Sequence, residues 1–162
     1  MSDHLKGLIL ATFLVAFGAI LGGFSVAFFF NVFLKESVSE PATQYNRDNW
    51  NFNSSAARER LNCTKDEHID HIVALKEAFD SGASTWSSSR KQQFANDSIN
   101  LWCLYSGLNI SKSDGDLAEW NGGDCSIRKR IAVKTKAVKG KYGLEIDPAE
   151  DKAIAAAINK NC

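Results

Sequence analysis

Residues 66–75 read DEHIDHIVAL: two histidines and three acids crowd against a run of aliphatic residues. Titratable side chains at the edge of a buried strand need partners or a task. Asp70 offers a hard anionic oxygen of the kind that magnesium or manganese prefers. His71 follows directly, and an imidazole with an ordinary pKa of about 6.5 is matched to taking a proton at neutral pH. Further along, Asn109 adds an amide oxygen, and Lys112 stands on the same side of a helical turn. A carboxylate, an imidazole, an amide and an ammonium brought to one place suit the hydrolysis of a phosphate diester. A cation stabilises the phosphate and the leaving oxygen, the imidazole takes a proton from water, and the lysine offsets charge. Zinc fits less well. Cys63, His68 and His71 follow a C-x4-H-x2-H spacing, which is not a finger pattern and lacks an obvious fourth ligand.

Neighbouring residues in a strand point to opposite faces, so Asp70 and His71 serve one site only if their strand ends or bulges there. HIDHIVAL predicts that strand, with KEAF after it as a short helical turn and SGAST as a loop. Ser87 is placed to cap a helix through SSRKQQFA. INLWCLY is the second strand, aromatic and aliphatic, and SGLNISKSDGDLAEW passes from a turn into a short helix that carries Asn109 and Lys112. Apolar residues at Ile127, Ile131 and Val138 make the basic stretch 126–139 an amphipathic helix, closed by Gly140 and Gly143. DPAE starts the last helix, with Asp147 as its cap and Pro148 in its first turn.

The N-terminal part of the chain is of another kind. Residues 8–34 contain no charge, and about 20 apolar residues suffice to span a bilayer as a helix. An export signal usually has a shorter apolar region, of about 7–15 residues, so an uncleaved single-pass anchor over residues 1–34 is expected. Gly18 and Gly22 form a G-x-x-x-G pair, which allows a weak homodimer through that helix. KESVSEPATQ, residues 35–44, reads as a linker, leaving residues 45–162 as one domain of ordinary size. Four cysteines, Cys63, Cys103, Cys125 and Cys162, all follow the apolar run, and none forms a C-x-x-C pair. That pattern suits two disulfides and an oxidising compartment. We expect Cys63 to join Cys103, because an antiparallel pairing of the two strands sets them close. Cys125 and Cys162 would then meet across a helical hairpin.

With these elements in place, HIDHIVAL and SINLWCLYSGLNISKSDGDLAEW resemble the HNH, or ββα-metal, nuclease motif. The secreted branch related to the C-terminal domain of GmrSD-type restriction enzymes resembles the chain over nearly its whole C-terminal domain. SGASTWSSSRKQQFAND is similar to that branch's intervening helix, and VKGKYGLEIDPAE to its tail. YNRDNW and RERL echo its upstream segment. The resemblance implies an α+β fold, with a small ββα nuclease domain and additional helices behind the N-terminal transmembrane helix. It implies that Asp70 binds a divalent metal, that His71 is the general base, and that Asn109 holds the metal or the site geometry. Ala74 and Leu117 stand where the family tends to have proline, and the short segment before Asp70 leaves Arg58 either a phosphate ligand or the partner of an acid.

Net charge is zero, but residues 126–141 hold seven Lys or Arg and no acid. Behind a phosphate-handling site, Arg128, Lys129 and Lys134 are candidates for contact with a nucleic-acid backbone, joined by Lys112 and Arg58. No base-reading module is visible, so low sequence specificity is expected. The sequence therefore points to a membrane-anchored endonuclease that uses Mg2+ or Mn2+ and cuts nucleic acid, DNA in particular, outside the cytoplasm. The alternative is a non-catalytic, membrane-tethered nucleic-acid-binding protein.

Overall fold

The computed structural model describes residues 44–159. The expected span at 8–34, its Gly18/Gly22 pairing and Cys162 lie outside those residues. No helix among the described residues is long and apolar enough to cross a membrane.

Chain order is α1 (Ser54–Leu61), β1 (Glu67–His71), α2 (Leu75–Asp80), α3 (Ser88–Asn96), β2 (Leu101–Tyr105), α4 (Ser106–Lys112), α5 (Cys125–Tyr142) and α6 (Pro148–Asn159). This is a small mixed α+β domain with six helices and one two-stranded sheet among the described residues. β1 and β2 pair antiparallel, with Asp70 opposite Trp102, Ile69 opposite Cys103 and His71 opposite Leu101. α4 starts directly from the end of β2, so no separate turn lies between them. β1–β2–α4 is a ββα unit with two helices inserted between its strands.

Local chemistry sets the boundaries. The Ser87 hydroxyl caps α3 by accepting from the Arg90 N–H. Asp124 caps α5 in the same way through Ile127, and Gly143 ends α5 in the left-handed conformation that glycine adopts without a Cβ penalty. Gly140 lies inside the helix rather than at its end. Asp147 accepts from the Ala149 and Glu150 N–H groups at the start of α6, as its cap position predicts. α1 is the helix that periodicity does not reveal: it is short, polar, and buries only Ala57.

The core has two centres, and the chain divides between them just after the chemistry-bearing strand. Ile72 joins Trp102, Leu104, Leu117, Trp120, Ile131 and Ile154 on one side. Val73 joins Trp50, Leu75, Phe94, Val138, Tyr142 and Leu144 on the other. Asn100, fully buried, fixes that division. Its side-chain oxygen accepts from the Val73 N–H at 2.9 Å, its amide donates to the Val73 carbonyl at 3.2 Å, and its own carbonyl accepts from Ile72 N–H at 2.8 Å. A single side chain thus continues the ladder past the end of β1 and satisfies backbone groups that have no strand partner.

Candidate active site

β1 ends at His71, and this lets two consecutive side chains serve one place. Asp70 and His71 are both buried, at 5% and 6% exposure, yet both line a cavity of about 340 Å³ together with Asn109 of α4 and the exposed Ile110. Asp70 is held by two donors: Trp102 Nε1 at 2.8 Å on one oxygen and Lys112 Nζ at 3.2 Å on the other. Lys112 also donates to the His71 carbonyl at 2.9 Å, so it clamps the end of β1 to α4. Burial raises the Asp70 pKa above the ordinary carboxylate value, with the Lys112 charge and the Trp102 hydrogen bond opposing the rise.

His71 Nε2 lies 2.9 Å from the Ala95 carbonyl. A carbonyl only accepts, so Nε2 carries the proton and the neutral ring keeps its lone pair on Nδ1. The Phe52 ring meets the imidazole edge-on at 4.6 Å and fixes its plane. Burial pushes the His71 pKa down to about 4; the Ala95 hydrogen bond opposes this, and the nearby charges of Arg47 and Lys112 add to it. The imidazole is therefore neutral, and a proton acceptor, throughout the physiological range.

Asn109 is half-buried, and its Nδ2 donates to Nδ1 of the exposed His68 at 3.3 Å, which leaves its Oδ1 uncommitted to that contact. Asp70 keeps lone pairs beyond the two it uses, because a carboxylate offers about four acceptor sites. A hard divalent cation fits this donor set of carboxylate and amide oxygens on one cavity wall. A second grouping also has the composition to hold a metal: carboxylate oxygens of Glu77, Asp116 and Glu150 lie within 4.8 Å of one another. There, however, Lys139 donates to Glu77 at 2.6 Å and also to Glu150, so an ammonium already supplies the countercharge.

The expected phosphate ligands are scattered. Lys112 is buried at the site. Arg58 of α1 lines a larger, neighbouring cavity of about 750 Å³ and donates to the Thr64 and Glu67 carbonyls, each at 3.3 Å. Arg128 is spent on the Trp120 and Leu117 carbonyls. Lys129 and Lys134 border a shallow pocket on α5 that shares no residue with the two cavities beside β1. Cys63 and Cys103 form a disulfide with Cα atoms 5.4 Å apart, which removes Cys63 from any zinc site. Cys125 is disulfide-bonded as well; Cys162, its expected partner, is not among the described residues.

Four contributors escaped sequence reasoning: Trp102, Asn100, Phe52 and the Ala95 carbonyl. Trp102 had a signal, since it directly faces Asp70 once the antiparallel register is known. The Ala95 carbonyl, being backbone, had none.

The ββα unit carries an Asp-His pair at the end of its first strand and an Asn and a Lys on its helix, the arrangement expected from the resemblance to HNH nucleases. The comparison of families agrees: residues 30–157 match the model of the GmrSD restriction endonucleases, C-terminal domain, and the chain belongs to that family. A protein of Arthroderma benhamiae named as an uncharacterized secreted protein is 34% identical over 99 residues, covering 58% of this chain. The match spans about half, 47%, of that relative's length. No solved structure matches the chain. The relative also corrects the localisation. Its name is that of a secreted protein, not a single-pass membrane protein. The physical reason is that a long uncharged run measures hydrophobicity alone, a property that anchors share with export signals.

Proposed function

We propose that this protein is a metal-dependent endonuclease that hydrolyses phosphodiester bonds in nucleic acid, DNA with low sequence specificity, in an extracellular setting like that of its secreted relative. One observation carries the reading: Asp70, His71 and Asn109 line a single cavity, with His71 fixed in the tautomer that leaves Nδ1 free. His71 takes the proton from the attacking water, and Ala95 and Phe52 hold it in place to do so. Asp70 and Asn109 are the residues to hold a divalent cation, Mg2+ or Mn2+. Such a cation, when bound, supplies Lewis-acid stabilisation of charge on the phosphate. Trp102 and Lys112 orient the Asp70 carboxylate and oppose the rise in its pKa that burial causes. Family membership supports nuclease chemistry in general.

The test is purified protein with plasmid and with single-stranded DNA, under Mg2+, Mn2+ or chelator. Cleavage that depends on metal, and that falls in Asp70→Ala and Asn109→Ala variants, is expected. Binding without cleavage under every metal would instead make the chain a non-catalytic nucleic-acid-binding protein.

A further inference from the structure

We propose that Arg47, together with the groove it borders, seats the phosphate next to the one being cut, so that the nucleic-acid strand runs from the His71 cavity along α1. This rests on the nuclease reading above and names where its substrate lies.

The two cavities at β1 share three residues: Arg47, Ile69 and Asn109. Arg47 sits on a short 3-10 turn, Arg47–Trp50, whose Trp50 is fully buried and anchors it in the core. Its own side chain is exposed and makes no hydrogen bond or ion pair among the described residues. An arginine so placed is a ready-made phosphate ligand, because the guanidinium fork matches two phosphate oxygens and loses little freedom per bond formed. It also lies close enough to His71 for its charge to act on the imidazole.

Beyond Arg47, the groove of about 750 Å³ continues past Arg58, His68 and the hydroxyls of Ser54 and Ser55. Arg58 is held by the Thr64 and Glu67 carbonyls, which use only part of its five-donor fork and set its plane in advance. One acid, Asp48, shares the wall with these groups. The lining therefore presents two guanidiniums, an imidazole and small hydroxyls, the donor set of a polyanion track and not of an apolar ligand site. By contrast, Lys129 and Lys134 line a pocket that shares no residue with this groove.

Catalysis and strand seating can be measured apart. In the His71→Ala background with chelator, binding of a fluorescent oligonucleotide is followed against salt for Arg47→Ala, Arg47→Lys and Lys129→Ala/Lys134→Ala. Arg47→Ala is expected to weaken binding about tenfold and to lower the salt slope by about 1, the effect of one lost phosphate contact. Arg47→Lys should recover part of the affinity but not the bidentate share. The α5 double variant should bind like its parent. In active protein, Arg47→Ala should raise KM more than it lowers kcat, since the contact exists before and during the reaction. An unchanged affinity and salt slope in Arg47→Ala, or a loss confined to the α5 variant, would overturn the track. A wild-type protein that fails to cut under any metal sinks the nuclease reading instead, whatever Arg47 does to binding.

Discussion

At the scale of single residues, His71 carries the clearest expectation. Removing a general base costs roughly 10²–10⁴-fold in rate, so His71→Ala should lose cleavage by that much while it still binds DNA. Its pH behaviour differs from that of an exposed histidine. With the folded pKa pushed down to about 4, the base remains available well below the usual titration point. The acid limb of kcat/KM should therefore fall below pH 6, and a limb at about 6.5 would show that His71 is not the base. Stability carries the same sign. Between about 4 and the unfolded value of about 6.5 the unfolded chain binds the His71 proton and the native chain does not. This contribution to stability is complete above the upper value and is lost as pH falls. Asp70, whose pKa is raised by burial, works in the opposite sense. Much of this site was legible beforehand: a run of adjacent Asp and His, and an Asn–Lys pair at helical spacing, are visible as residue types. The protonation state was not, because it depends on an Ala95 carbonyl that no side-chain pattern marks.

At the scale of elements, strands and caps followed from local chemistry, whereas the links between elements did not. Ser87, Asp147 and Gly143 act where their types predict. α1 escaped because a polar helix that buries one alanine has no apolar stripe to read. On α5, part of the basic run is engaged within the fold. A charge run looks like a nucleic-acid surface, yet Arg128 is spent on backbone carbonyls and Lys139 is buried between Glu77 of α2 and Glu150 of α6. That last contact joins three elements through one ammonium. Burial pushes the Glu150 pKa up to about 7 despite Lys139, so the carboxylate depends on its partner. Lys139→Met keeps the volume and removes the charge. It should destabilise the domain by about 3–5 kcal/mol, because two acids are left without their cation. Urea unfolding measures this, and a loss under about 1 kcal/mol would mean that the acids simply take up protons. Glu77→Gln/Glu150→Gln added to that variant should restore much of the loss.

At the scale of the whole molecule, the disulfide between Cys63 and Cys103 connects the fold to the compartment in which it works. It ties the loop between α1 and β1 to the middle of β2, opposite Ile69, and so fastens the wall of the Arg47 groove to the strand pair behind the active site. The sequence separation is 40, and closing a loop of that length removes unfolded-state entropy worth about 4 kcal/mol. A small domain with a polar site at the seam of two core centres has little stability to spare. Cys63→Ala/Cys103→Ala should therefore lose about 2–4 kcal/mol, with a midpoint lower by on the order of 10 °C. Reduction of the wild type by dithiothreitol should produce a comparable loss, because it opens the same loop. Protein recovered from a secretory route should show no free thiol on titration under denaturing conditions, and peptide mapping without reductant should yield Cys63 joined to Cys103 and Cys125 to Cys162. Free thiols at Cys63 and Cys103 in secreted protein, or equal stability with and without the bridge, would remove the argument that this domain is built for an oxidising environment.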